Sequence, residues 1–403
     1  MKNQNRIIPK IRFINFNDKW KYKTLDEISN AIEYGINAPA KDFDGIHKYL
    51  RITDIDDTSR LFLNVKLSSP DVNFTEENYE NYKLQKNDLL FARTGASVGK
   101  TYLYRESDGE VYYAGFLIRA RLYDSYDGNF VFQQTFTDKY KQFVDITSQR
   151  SGQPGVNGKE YGDWKIGITS YSEQSAIGSL FRTFDDLLSN YKENLANYQS
   201  LKATMLSKMF PKAGQTVPEI RLDGFEGEWE TKILSEVTNI TMGQSPKSEN
   251  YTDNPNDYIL VQGNADIKDK QVVPRLWTTE VTKMAEIGDI ILTVRAPVGD
   301  IGKTDYNVVI GRGVAAIKGT DFIFYALEKM KNTGFWNRFS TGSTFESISS
   351  NDIKEAIIQI PTLKEQQAIG SYFSNLDDLI NSQQEKISQL ETLKKKLLQD
   401  MFI

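Results

Sequence analysis

Residues Phe91–Thr101 read FARTGASVGKT, with glycines, a lysine and a threonine almost in the order of a phosphate-binding loop. Such a cradle needs G-x-x-x-x-G-K-[ST], because the backbone amides and the lysine must reach different phosphates. Here only three residues separate Gly95 from Gly99. Other chemistries fall away on composition. The chain has no Cys and one His, which excludes thiol nucleophiles and Cys-based zinc sites. A Ser-His-Asp triad could use only His47, in the polar run DFDGIHKYL, which reads as a solvated loop or strand edge. No Asn-Pro-Pro-aromatic tetrapeptide occurs, since Asn254-Pro255 is followed by Asn, and there is no strand–GxGxxG–helix unit. The carboxylate run TDIDD (53–57) has no counterpart where NADIKD stands in the second half, and reads as turn residues.

The elements that position these residues are repeated. IPKIRFINFNDKW (Ile8–Trp20) recurs as VPEIRLDGFEGEW (Val217–Trp229), matching Pro9 to Pro218, Arg12 to Arg221 and Trp20 to Trp229. EQSAIGSLFRTFDDLLSNYKENL (Glu173–Leu195) recurs as EQQAIGSYFSNLDDLINSQQEKI (Glu365–Ile387), and the match runs on through Lys202/Lys394 to Phe210/Phe402. The first pair of anchors is 209 residues apart and the second 192, so the second globular part is 17 residues shorter than the first. Length changes of that kind belong in surface loops. Against the duplicate, Arg93 aligns with Arg295 and Lys100-Thr101 with Lys303-Thr304. The second copy has no Walker spacing, so the loop is not an ATP site. Two readings stay open: a hairpin turn with basic flanks, or a turn presenting Arg and Lys to an anionic surface.

The repeated segments carry heptad seams. Ile177, Phe181, Phe184, Leu188, Tyr191, Leu195 and Tyr198 alternate steps of four and three, and so do Ile369, Phe373, Leu376 and Ile380. After a break at Gln383 the second seam continues through Ile387, Leu390, Leu393 and Leu397. A single helix over 173–210 spans roughly 57 Å and cannot bury such a stripe alone. The two copies are the expected partners, antiparallel if the halves are related by a pseudo-twofold. Packing of each helix on its own domain is the alternative. Between them DLLFART, VYYAGFLIRARLY, YILVQG, DIILTV and NVVIGRGVAAI predict strands, and the aromatic stretches Phe130–Phe143 and Phe322–Met330 predict helices. The fold class expected is mixed α/β: two α/β domains, 1–172 and 216–362, separated by long antiparallel coiled-coil helices in 173–215 and 363–403.

The P-x-I-R-[FL]-x-x-F-x-x-x-W entry, the E-Q-x-A-I-G helix start and the tandem layout resemble the specificity subunit of type I restriction–modification systems, across essentially the whole chain. The resemblance implies two target recognition domains, each reading half of a bipartite site in double-stranded DNA. It implies that the paired helices act as a ruler and a dock for two modification (methyltransferase) subunits, with restriction (translocase and nuclease) subunits joining that core. It implies no catalysis and no cofactor in this chain; S-adenosylmethionine, ATP and Mg are expected on the partners. Candidate DNA contacts are Arg93, Thr94 and Lys100, then Arg150, Gln153, Asn157 and Lys159 in QRSGQPGVNGKEYG. Lys41 and Lys247 lie in the matched loops INAPAKDF and QSPKSENY. Arg295, Lys303 and Arg312 complete the second set, with Ser343 and Thr344 in FSTGSTFESIS.

The net charge is −5, whereas a DNA reader is usually basic. Residues 1–172 sum to +1 and 213–362 to −6. Base reading needs only a few placed Arg, Lys, Asn and Gln, and partners are expected to supply much of the backbone grip. No 18-residue apolar run or apolar signal core occurs, so a cytoplasmic protein without a membrane partner is expected. The rival classes are a nucleotide-binding enzyme and a coiled-coil scaffold that reads no DNA.

Overall fold

The computed structural model describes residues 8–149, 152–339 and 347–403. The chain forms two compact units, 1–193 with 384–403, and 194–383. The division runs through both long helices, Tyr171–Lys208 and Leu363–Met401. Each unit therefore holds the first half of one helix and the second half of the other.

In the first unit, strand Asp88–Ala92 is buried throughout, as a continuous apolar run requires when both faces are covered. It pairs antiparallel with Leu117–Leu122 and with Thr101–Leu103, and Ser29–Tyr34 closes the sheet. A short parallel pair, Lys48–Leu50 with Val111–Tyr113, lies beside it. In the second unit Ile290–Thr293 takes the same place, between Val314–Ile317 and Ile301–Lys303, with Ile240–Met242 outside. Tyr258–Val261 repeats the parallel pair with Val308–Ile310. The aromatic stretches form helices Gly128–Gln134, Asp138–Thr147 and Asp321–Asn332. The duplication thus extends through the segments whose sequences have drifted apart.

The repeated motif residues build one device twice. Trp20, Phe130, Phe181 and Phe402 form a cluster, with Trp20–Phe130 at 5.5 Å and Phe181–Phe402 at 5.6 Å between ring centres. Trp229, Phe322, Phe373 and Phe210 repeat it, at 5.7 Å for Trp229–Phe322 and 6.1 Å for Phe210–Phe373. Arg12 forks onto the buried Glu173 at 2.5 and 2.7 Å; Arg221 forks onto the buried Glu365 at 2.8 and 2.7 Å. Hydrogen bonding to its carboxylate raises each guanidinium above the usual arginine range. The glycine of E-Q-x-A-I-G is sterically required. A Cβ on Gly178 would stand 2.4 Å from Asp127 Oδ1, and one on Gly370 would stand 2.8 Å from Asp321 Cβ.

The helix halves run antiparallel within each unit. Lys394 donates to Asp185 at 2.5 Å, and Lys202 to Asp377 at 2.5 and 2.7 Å. Gln133 and Tyr325 supply a further donor to these two aspartates, at 2.8 and 2.9 Å. Burial pulls the Lys202 ammonium below the usual lysine range. Ile177, Phe181, Phe184 and Leu188 are buried, as are Ile369, Phe373, Leu376 and Ile380; Leu195 and Ile387 are half-buried. Both expected packings hold at once. Ile177 and Phe181 join a core with Trp20, Phe130 and the far end of the second helix; Ile369 and Phe373 do the same with Leu206, Met209 and Phe210. One seam position is corrected. Leu393 is 46% exposed, and the stripe passes through the stem of Lys394, whose charge is held by Asp185.

Candidate nucleic-acid interface

Five segments meet in each unit through matching backbone bonds. In the first, Gly35 and Ile36 donate to Leu117 and Tyr113, Ala114 to Leu50, Arg93 to Phe116, and Val156 to Arg93, at 2.8–3.2 Å. In the second, Gly243 and Gln244 donate to Val314 and Ile310, Gly311 to Val261, Val294 to Gly313, and Ile348 to Val294, at 2.8–3.0 Å. Thr94 bridges Gly155 as Arg295 bridges Ser347. Gly35 and Gly243 are equivalent for a steric reason: a Cβ would come within 2.3 Å of Tyr113 O in one and 2.1 Å of Gly311 O in the other. The matched loops of the sequence are therefore matched in space.

These bonds correct two alignments. Arg93 stands where Val294 stands, and Arg295 is the equivalent of Thr94. A one-residue shift along a strand turns a side chain to the other face. The Gly-Lys-Thr repeat is also coincidental. Gly99 and Gly299 are equivalent, both at positive φ, and donate to Ala92 and Thr293. Lys100 then matches Asp300, while Lys303 pairs in register with Ile290 as Leu103 pairs with Leu89. The FARTGASVGKT stretch is a hairpin between two strands.

Lys100 does not fit the expected DNA contact. It is buried and donates to Ile55 O at 2.8 Å and Ile52 O at 3.3 Å, and it pairs with Asp57 at 2.5 Å. Lys303 is likewise held inward, paired with Asp321 over the Phe324 ring. The oxygen of Asn157 caps helix Gly158–Gly162. Lys41 is exposed and pairs with Asp71 at 3.7 Å. Arg150, Ser343 and Thr344 lie outside the described residues. The carboxylates of TDIDD serve turns and cations: Asp56 accepts from Thr58 and Ser59, and Asp54 accepts from Arg51 N as Asp266 does from Gln262 N. The last pair is a counterpart that sequence comparison did not align. His47 is not fully solvated: it stacks on Phe74 at 3.8 Å and meets Asp44 at 2.7 Å.

What remains differs between the units. In the first, the Arg93 guanidinium lies over Tyr34 at 5.2 Å and Phe116 at 5.7 Å, and Phe116 is 60% exposed. Tyr34 is fixed by accepting from Gly158 N at 3.0 Å. Exposed Gln153 and Lys159 flank the adjoining loop. In the second, Lys247, Arg295 and Arg312, all exposed, line a cleft of about 500 Å³ with Tyr251, Gln262 and Asn264. The sequence reading missed Tyr34, Phe116 and Gln262. Gly115-Phe116 was absorbed into one long predicted strand, although the glycine marked the turn.

Residues 226–392 match the family described as the type I restriction modification DNA specificity domain. A putative type I restriction enzyme specificity subunit, MjaX, of Methanocaldococcus jannaschii is 26% identical over 413 residues, covering 94% of this chain and 92% of its own. The MjaVIII specificity subunit of the same organism is 20% identical over 340 residues, 78% of each chain. The crystal structure of the S subunit of a type I restriction–modification system from M. genitalium shares the fold, with a TM-score of 0.68 at 17% identity, over 98% of this chain and 99% of that one. A chain from a type I R-M complex assembly has a TM-score of 0.52 at 22% identity, covering 94% and 96%. The fork of Arg12 on Glu173, repeated by Arg221 on Glu365, is built from the very motif residues that carried the resemblance, and residues 226–392 carry the type I restriction modification DNA specificity domain.

Proposed function

We propose that this non-catalytic chain gives a type I restriction–modification complex its DNA sequence specificity, with residues 1–172 reading one half-site and residues 216–362 the other. The carrying observation is that one backbone cradle is built twice and furnished differently: a ring-clamped Arg93 in the first unit, three exposed cations around a cleft in the second. A shared frame with unlike side chains suits two unlike half-sites. Two modification subunits dock on the helix pair in this reading, restriction subunits join them, and the helices set the distance between the half-sites. Phosphate contacts would position each cradle and base-edge contacts would specify.

The direct test is exchange of residues 216–362 for the equivalent region of a relative. The exchange leaves the helix ends and their aromatic residues Phe210 and Phe373 in place. One half of the methylated target should change and the other stay, as read by long-read sequencing of the host genome. A change in both halves would refute independent reading.

Arg93 and Lys100 separate recognition from stability within the first unit. Arg93→Ala should weaken discrimination in one half-site by about 1–3 kcal/mol, the value of a bidentate arginine–guanine contact. Lys100→Ala should lower the melting temperature and leave the target unchanged, because its contacts are all internal. An unaltered target and rate for Arg93→Ala removes it as a reader.

A further inference from the structure

We infer that Gln262 is a base-reading residue of the second unit, specific for adenine; the inference rests on the proposal that this unit recognises DNA. Gln262 follows directly on strand Tyr258–Val261 and lines the cleft of Lys247, Arg295 and Arg312. Its backbone is held from behind, N donating to Asp266 Oδ2 at 2.7 Å. Two glycines make its place. A Cβ on Gly313 would stand 2.0 Å from Gln262 O, and one on Gly311 would stand 3.2 Å from Gln262 Cγ. The side chain therefore rests on a glycine turn inside a ring of cations.

Its amide Nε2 is buried and has no partner among the described residues. An amide donor withdrawn from water and left unpaired is unfavourable, and such groups in a native fold call for a ligand or a role. The three cations at the rim are exposed, Lys247 with only a long pairing to Glu249 at 3.7 Å, and suit phosphates. An amide carrying one donor and one acceptor side by side matches adenine N7 and N6 in the major groove. The equivalent residue of the first unit differs. Arg51 follows strand Lys48–Leu50 but forks onto Asp54, at 2.9 Å for both bonds, and offers no free reader. The two cradles thus place their specific group at different points, Arg93 in one and Gln262 in the other.

The test uses the chain assembled with its modification subunits in a host lacking its own methylation, and reads the target by long-read sequencing. Gln262→Ala should make one A·T pair degenerate, in the half-site assigned to residues 216–362 by domain exchange. Discrimination at that pair should fall roughly ten- to a hundredfold, with all other positions unchanged. Gln262→Glu keeps the shape but only accepts, and should turn the preference at that position from adenine towards cytosine. An unchanged target for both variants overturns the inference. So does uniform weakening across the target in an intact complex, which would make Gln262 a structural or phosphate-contacting residue. A wild-type complex that methylates no bipartite target defeats the proposed function instead, and is distinguished by that control.

Discussion

Glu365→Ala is expected to destabilise the second unit by about 3–5 kcal/mol, and Glu173→Ala the first by a similar amount. Removing one partner of a buried pair leaves the other charge uncompensated. Glu365 is 1% and Glu173 0% exposed, and each holds both ends of an arginine fork. Each fork also ties an irregular entry segment to the start of a long helix, so its loss frees the segment that carries Trp20 or Trp229 into its ring cluster. At roughly 2–4 °C per kcal/mol for a domain of this size, the affected transition should fall by ~10 °C. Calorimetry of the two variants would show it, with the loss confined to the unit that carries the substitution. Replacing both partners, Arg221→Met with Glu365→Leu, should recover much of the loss, since an apolar pair of similar volume is often neutral in place of a buried ion pair. A single-variant loss below about 1 kcal/mol would mean that the fork carries no structural weight.

The motifs most visible in the sequence turn out to hold the fold, and the residues left to touch a ligand are quiet ones. Arg12, Glu173, Gly178 and Trp20 stood out because a duplicated frame repeats them wherever packing allows no alternative. Their spacing gave the helices, the antiparallel pairing and the two-part organisation. The cradles were half legible. Loop positions such as Gly35/Gly243 and the segments before Val156 and Ile348 aligned, because steric demand on the backbone survives divergence of the side chains. Register did not. Arg93 and Arg295 looked equivalent because both are arginines near the end of an apolar run, and only the bonds of Phe116 and Gly313 reveal the one-residue offset. Lys100 failed for a different reason. A lysine beside glycines reads as exposed, and nothing local in sequence announces that Ile52, Ile55 and Asp57 fold over it. Gln262 carried no signal at all: its place depends on glycines about fifty residues away.

Lengthening both long helices by four residues, near Ala196 and near Ser388, is expected to widen the spacer of the methylated target by one or two base pairs and leave both half-sites intact. Four residues add about 6 Å to a helix and restore its face to within roughly 40°, and B-DNA rises about 3.4 Å per base pair. Both helices must change together. Lys394–Asp185 and Lys202–Asp377 lie on either side of the insertion points, and each needs its own helix halves in register. An insertion near Ala196 alone displaces one partner of a pair by about a turn, leaves a buried lysine or aspartate unpaired, and should cost about 3–5 kcal/mol. That variant should assemble poorly rather than read a longer site. Two residues in both helices rotate one half of each seam by about 200° against the other half, so that the two halves of the helix pair can no longer both face their partners, and should abolish assembly with the modification subunits. Methylome mapping of the paired four-residue variant decides the matter. An assembled, active complex that keeps the original spacer would show that the helices do not set the distance between half-sites.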